Sequence, residues 1–418
     1  MPLAAEIRSI RREDHIRRAA HFRQRCPIDF SSRRRSGYRG LMGMDADVVI
    51  VGAGPVGSAL AIMLGKAGCQ TLLIDRCQFP RDKPCGEGLM PAGNRVLEDL
   101  GIVLRDFPSI SGVTYHIPGH GRAEGKFMTG SVGRGTRRTG FDQMLADHAD
   151  GTQNVETAFG CDARNVQVGS DGVLLETTQG EVVARFLVGA DGIRSRVATW
   201  MGWSRPARSR RYGLVGHLAA RDHGIDRVFI TLLDGCEVYL APSSRDELLV
   251  ALLGAKGHLR PGGVTVRESY SRRVAQAHPE LAGCQQTTIH GAGPFWTRPS
   301  NIASGRVFLI GDAAGFLDPL TGDGMTAGFV AASKLSHLLI NDADASGAYR
   351  HWEARQWQRR LFMGRLALAL TNTAALGRRA IRGLSKRPVA LDRLLEVNEG
   401  SRSLRSLSPR DWAALGGF

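Results

Sequence analysis

An α/β fold is predicted for this chain of 418 residues, with a discontinuous strand-and-helix domain, an inserted β-rich domain and a C-terminal helical segment. Three observations predict it. A run of β-branched residues at Asp47–Val51 leads directly into GAGPVG and a stretch of helical spacing. Two further strand-and-turn segments, Phe186–Val197 (FLVGADGIRSRV) and Arg306–Phe329 (RVFLIGDAAGFLDPLTGDGMTAGF), lie far downstream and bracket a region of alternating strands. Beyond them, Ala348–Leu384 sets apolar residues at helical spacing among arginines.

Residues 1–43 carry eleven arginines against four acidic residues, with little apolar material and no apolar segment of the kind an export signal needs. A basic, disordered leader is expected there, with Met42 or Met44 as an equally good first residue. The formal charge of +15 is otherwise spread along the body, so a solvated basic surface that attracts anionic cofactors fits better than nucleic-acid binding. With 43% hydrophobic residues the chain can bury a large core. No run of about 18 uncharged apolar residues offers a spanning helix. Seven scattered cysteines without a C-x-x-C pair argue against a disulfide framework and against a zinc site. No metal is expected, and a reducing cytoplasm fits.

Asp47–Val51 is too short for a helix and suits a buried parallel strand. Gly52, Gly54 and Gly57 fill the G-x-G-x-x-G positions, with Pro55 and Val56 between them, and SALAIMLGKAG continues as a helix to a stop at Gly68. Gly52 permits the tight turn, Gly54 lets the backbone approach a pyrophosphate, and Gly57 lets helix and strand pack closely. The phosphates then sit at the helix N-terminus. A second strand, QTLLID, ends at Asp75, whose carboxylate is placed to accept ribose hydroxyls, with Arg76 beside it. The unit is of Rossmann type and does not by itself separate FAD from NAD.

The two distant segments make that choice. GAGPVG, GADGIRS and LIGDAAGFLDPLTGDG, in that order, resemble the glycine fingerprint, the DG motif and the GD motif of flavoprotein hydroxylases of the p-hydroxybenzoate hydroxylase type. The resemblance implies FAD. Asp312, after Gly311, is suited to a ribityl or ribose hydroxyl, and Pro319, Gly322, Gly324 and Met325 supply backbone amides at a helix N-terminus for an electron-rich pyrimidine edge. The same resemblance places Asp191 near both the flavin and a transient nicotinamide cofactor, and gives Arg138 the role of an arginine that contacts FAD phosphate or ribityl oxygens.

Phe79–Pro91 (FPRDKPCGEGLMP) is similar to the corresponding segment of the geranylgeranyl reductase-like branch, close to flavin-dependent halogenases. Gly86 and Gly88 would let this loop run beside the flavin, with Glu87 a candidate contact to a ribityl or adenosine hydroxyl, and Arg81 and Lys83 near phosphate. Cys85 reads as a packed cysteine more than a redox thiol, since no resolving cysteine is near in sequence. Where relatives carry an aromatic W-x-W-x-I-P or Y-x-W-x-F-P segment, this chain has Glu237–Pro242, keeping Tyr239 and Pro242 but replacing the first aromatic by Glu237. Halogenation is therefore not expected. His217 is a candidate for the substrate pocket beside Tyr239 and Pro242, although a hydrogen-bonded structural histidine is the commoner case.

The domain boundaries expected are 44–202 with 296–345 for FAD, 203–295 for a β-sheet substrate domain, and 346–418 for C-terminal helices that close the FAD domain or lie on an anionic membrane surface. The function expected is an FAD-dependent oxidoreductase using NADH or NADPH. Monooxygenation of an apolar or aromatic small molecule leads, followed by ene-reduction of a prenyl lipid and then by a non-catalytic FAD-binding partner protein. No catalytic side chain is singled out. The place of action expected is the cytoplasm, with peripheral contact at the inner membrane surface as the alternative.

Overall fold

The computed structural model of the chain describes residues 44–128, 130–342 and 344–418; the basic leader read at 1–43 lies outside them. Strand β1 (Ala46–Val51) passes through the glycine turn into helix α1 (Pro55–Lys66), and β2 (Thr71–Asp75) pairs parallel with β1. Pro55 takes the first helical position, where its missing N–H leaves no bond unmade. Every residue of β2 is buried. Such continuous burial marks a parallel strand covered on both faces, and each aliphatic side chain so withdrawn from water contributes about 1.5–3 kcal/mol.

Strands β5 (Val155–Phe159), β8 (Gly180–Gly189), β14 (Ala303–Ser304) and β15 (Val307–Leu309) complete the first sheet in the order β14-β15-β8-β1-β2-β5, with β6 (Ala163–Val168) and β7 (Val173–Thr177) leading off β8. Helices α1, α2 (Arg138–Asp150) and α3 (Gly324–Asn341) share its core, where Leu60, Phe141 and Phe329 are fully buried. Because β15 pairs with β8 from the far side of the insertion, the domain is discontinuous, as the sequence predicts.

The second sheet contains β3 (Gly112–Ile117), β4 (Gly121–Lys126), β9 (Arg211–Ala219), β10 (Val228–Leu233), β11 (Cys236–Pro242), β12 (Glu247–Ala255) and β13 (His290–Ala292), in the order β13-β9-β12-β11-β10-β3-β4. It corrects the expected boundary at 203. Two strands between residues 112 and 126, assigned from sequence to the FAD domain, cross over to the substrate sheet, with β3 pairing parallel to β10. Strand periodicity divides β11 and β12 into two apolar faces. Val238, Leu240, Val250 and Leu252 meet Tyr270 and Val274 of the helix Val266–Ala277, while Tyr239, Ala241, Leu249 and Ala251 face the opposite way. That second face walls the site.

Helix α4 (Ala345–Asn372) starts on the first domain, where buried Tyr349 donates to the Leu309 carbonyl at 3.1 Å. It then runs outward to α5 (Ala374–Lys386), α6 (Pro388–Glu399) and α7 (Pro409–Leu415). Helices α5 and α6 pack on β4, so close that a Cβ on Gly125 would lie 2.7 Å from Leu391. The terminal helices thus lean on the substrate sheet as much as on the nucleotide domain. No helix among the described residues is long and apolar enough to cross a membrane.

Candidate functional site

The glycine turn is set by close backbone approach. Gly52 has φ +108°, and a Cβ there would sit 2.5 Å from the Ala190 carbonyl oxygen; on Gly57 it would sit 1.9 Å from the Gly52 oxygen. Only hydrogen fits. Asp75 anchors the turn to β2, its Oδ2 accepting the Ala53 N–H and its Oδ1 the Cys77 N–H, each at 2.9 Å. Arg81 lies over the turn, Nη2 3.6 Å from Asp75 and Nη1 3.4 Å from Asp142, while its Nε is buried with no protein partner. Val56 packs against Gly311 and Gly328, tying α1 to the third turn.

Asp191 follows the residue that abuts Gly52. Its Oδ2 accepts the N–H groups of Arg196 at 2.6 Å and Val197 at 3.2 Å, capping the short helix Arg196–Trp200, and its Oδ1 is buried without a protein partner. Burial pushes this carboxyl up, against the pull of those hydrogen bonds. The third turn runs from β15 through Gly311 and Asp312 to Gly322, in the left-handed region at φ +64°, and enters α3 at Gly324 with no side-chain cap. That end of α3 therefore presents a positive dipole and uncapped N–H groups. A buried ion trio holds the turn from below. Arg211 of β9 bonds Asp318 at 2.9 Å and Glu237 at 2.8 Å, and the Tyr239 hydroxyl donates to the Leu320 carbonyl at 3.0 Å.

The loop Lys83–Gly88 runs between the two domains. Glu87, at φ +54° and only 2% exposed, is held by protein donors on both carboxylate oxygens. Oε1 accepts from the Arg138 N–H at 3.0 Å and Arg137 Nη1 at 3.2 Å, and Oε2 from Ser243 Oγ at 2.5 Å, with His217 Nε2 at 3.0 Å. Burial raises this carboxyl, but the hydrogen bond and charge of His217, with the bonds from Arg138 and Ser243, outweigh it and hold the group below its ordinary range. Arg138 is likewise committed, forking onto Asp142 at 2.6 and 2.7 Å.

These elements enclose a cavity of about 930 Å³. Cys85, Gly86, Arg138, Asp191, Asp312 and the Pro319–Met325 turn line one end. From there it follows the inner face of the second sheet and reaches Ile381, Leu384, Leu391 and Leu415 on the terminal helices. Residues 45–349 match the family described as FAD binding domain.

The chain belongs to this family. It is an FAD-dependent oxidoreductase whose relatives agree with the branch read from the sequence. It is 29% identical over 347 residues to a menaquinone reductase of Mycobacterium tuberculosis (strain ATCC 25618 / H37Rv), covering 78% of this chain and 84% of the relative. Over 329 residues it is 26% identical to digeranylgeranylglycerophospholipid reductase 1 of Methanothermobacter thermautotrophicus, covering 73% and 80%. The solved p-nitrophenol 4-monooxygenase of Pseudomonas putida DLL-E4 shares the fold, with a TM-score of 0.69 at 18% identity over 87% of this chain and 100% of that one.

The residues present fit FAD. Two of the buried polar atoms without a hydrogen-bond partner, Arg81 Nε and Asp191 Oδ1, lie beside the glycine turn, and the uncapped α3 terminus offers amides to an electron-rich ring. Bound FAD would supply the redox chemistry, leaving the protein to position and to exclude water. Arg76, Cys85, Gly86, Gly88, Arg138, Asp191, Asp312, Pro319, Gly322, Gly324 and Met325 gather on the cavity wall. Gly52, Gly54, Pro55, Val56, Gly57, Asp75, Arg81 and Gly311 stand outside that wall, Arg81 Nη2 lying 3.4 Å from where a Cβ on Gly54 would be.

Three expectations are corrected. Glu87, expected at a ribityl or adenosine hydroxyl, does stand on the cavity wall with Gly86 and Gly88, but its carboxylate is taken up by the clasp just described. His217 was expected in the substrate pocket. It shares a strand face with Gly213 and Val215, which do line the cavity, but lies farther along β9, where the Glu87 loop covers the sheet. Pro242 has the parity of Leu240, opposite to Tyr239, and is not in the lining. Tyr239 does line it.

Sequence reasoning missed Tyr115, Arg360 of α4 and the apolar faces of α5–α7, all on the wall. Burial pushes the Tyr115 hydroxyl up to about 12. Glu237 within an apolar strand was a legible sign that a buried cation must answer it, but nothing local pointed to Arg211.

Proposed function

We propose that the chain is an FAD-dependent reductase of an isoprenoid or other long-chain apolar molecule, with NADH or NADPH as the electron donor. The observation that supports this reading most directly is the course of the cavity. It leaves the flavin end along Tyr239, Ala241, Leu249 and Ala251 and continues between aliphatic side chains of four terminal helices. A compact aromatic substrate needs no such extension, whereas a flexible hydrocarbon chain gains about 0.8 kcal/mol for each CH₂ it buries there. The two reductases named above point the same way, since menaquinone and a digeranylgeranyl lipid both join a polar end to an isoprenoid chain.

In this reading the reacting double bond lies at the Pro319–Met325 turn and the remaining chain fills the helical end. Tyr239 stays a neutral wall group, its hydroxyl raised well above the ordinary value by burial and bonded to Leu320.

The deciding experiment is anaerobic flavin reoxidation, after reduction by NADH or NADPH, with isoprenoid quinones and prenyl lipids as acceptors. Saturated product without oxygen consumption is expected. In the same assay run in air, oxygen uptake coupled to hydroxylated product would replace the proposal with the monooxygenase reading. Leu384→Trp fills the helical end of the cavity and should raise KM for long-chain acceptors about tenfold, an overpacking cost of about 1–3 kcal/mol, while sparing short ones. Equal effects on both chain lengths would remove Leu384 from the chain path.

A further inference from the structure

We infer that the outer face of the terminal helices is a docking surface for an anionic lipid bilayer, set against the wall through which the hydrocarbon chain of the substrate enters. The inference deepens the proposed function and rests on it for its purpose, though not for its physical basis.

Charge is the first ground. Between Ala354 and Leu391 the chain carries nine Lys and Arg residues and no Asp or Glu. Some of these cations serve the fold, as Arg360 does with Asp323 at 3.2 Å and Arg387 with Asp411 at 3.2 Å. Arg378, Arg379, Arg382 and Lys386 do not. All four are exposed on α5, and among the described residues none has a carboxylate within ion-pair distance. Buried Gly377, Ala380, Ile381 and Leu384 form the other side of the same helix. One helix thus turns an aliphatic face to the cavity and an unneutralised basic face outward.

Apolar exposure is the second ground. Of the nine large apolar side chains exposed among the described residues, five fall between Phe362 and Phe418. Leu376 and Val389 flank the cationic stretch of α5, and Phe362 of α4 meets Trp412 of α7 edge-on with ring centroids 6.0 Å apart. Cations interleaved with exposed Leu, Phe and Trp on amphipathic helices match the interface of an anionic bilayer, which takes the rings and aliphatic groups at its acyl boundary and the cations at its headgroups. A nucleic acid would satisfy the cations and leave the apolar groups largely in water.

Continuity with the site is the third ground. Ile381 and Leu384 of α5 and Leu415 of α7 belong to the cavity wall, so the helices that bear the outward face also close the far end of the cavity. A chain drawn from a bilayer at this face has only that wall to pass.

The test is cosedimentation of the FAD-loaded full chain, without substrate, with vesicles of phosphatidylcholine alone or with about one-third phosphatidylglycerol. Binding to the anionic vesicles alone is expected. The triple variant Arg378→Ala, Arg382→Ala and Lys386→Ala keeps helix propensity and should weaken that binding on the order of 100-fold, at about 1 kcal/mol for each cation lost. Leu376→Ser should weaken it about tenfold. Both variants should keep the wild-type flavin spectrum and the wild-type turnover of a short, soluble acceptor. Equal binding to neutral vesicles, wild-type binding by the triple variant, or equally tight binding to duplex DNA at the same salt would overturn the inference. Vesicle binding by a protein that reduces no isoprenoid would sink the proposed substrate and leave the docking face standing.

Discussion

Gly57→Ala is expected to yield a protein that fails to retain FAD. The new Cβ would lie 1.9 Å from the Gly52 carbonyl oxygen and 3.2 Å from the Ala190 Cβ. The first neighbour is backbone and cannot swing aside, so α1 must move away from β1 or the turn must open. Relieving such an overlap in a packed region costs about 1–3 kcal/mol. The displaced atoms are those that carry the phosphate-facing amides, so loss of a charge-assisted hydrogen bond adds about 1.5–3 kcal/mol. The FAD Kd should therefore rise at least on the order of 100-fold, read as loss of yellow absorbance through gel filtration. Gly140→Ala is the control: nothing lies within 4 Å of its added Cβ, and it should retain both colour and fold. A yellow Gly57→Ala protein would show that the glycine turn does not hold the nucleotide.

Glu87→Ala should destabilise the folded chain by about 3 kcal/mol or more, because it leaves the buried Arg138 N–H, His217 ring and Ser243 hydroxyl without their acceptor, at about 1–3 kcal/mol for each unsatisfied group. The carboxylate joins the 83–88 loop to α2 through Arg138 and to the substrate sheet through His217 and Ser243. The backbone at Glu87 is itself strained at φ +54°, held there by the Thr136 N–H and hydroxyl donating to its carbonyl at 2.7 and 2.8 Å. Glu87→Gln keeps the shape and should cost less. Since the folded carboxyl sits below the ordinary 4.5, its stabilising contribution is complete above pH 4.5 and is lost as the pH falls through the lower, folded value. Urea midpoints measured across acidic pH should fall more steeply for wild type than for Glu87→Gln. Parallel profiles would mean that the carboxylate titrates alike in both states.

Much of the first domain was legible because its determinants are local. DVVIV, GAGPVG and Asp75 lie within thirty residues of one another, and a strand, a turn and a helix follow from their order alone. Asp191 and Asp312 were legible through the turns that carry them. The substrate side was harder. Tyr239 and Pro242 are three residues apart, yet strand parity sends one into the cavity and the other away from it. Glu87 was read as a ligand contact because a short loop of glycines around a carboxylate gives no sign of His217, 130 residues on.

By itself the sequence determined the nucleotide-binding unit, its discontinuity, the flavin and the helical ending, since each depends on residue types at short spacing whose backbone needs are the same in any context. Tertiary structure decided which sheet received strands 112–126, that Glu87 clasps two domains, and that the terminal helices wall a cavity running from the flavin turn. Those outcomes depend on which surfaces meet after the chain closes. Burial of a charge or of an apolar face fixes that a partner must exist, and only the packed fold selects which one.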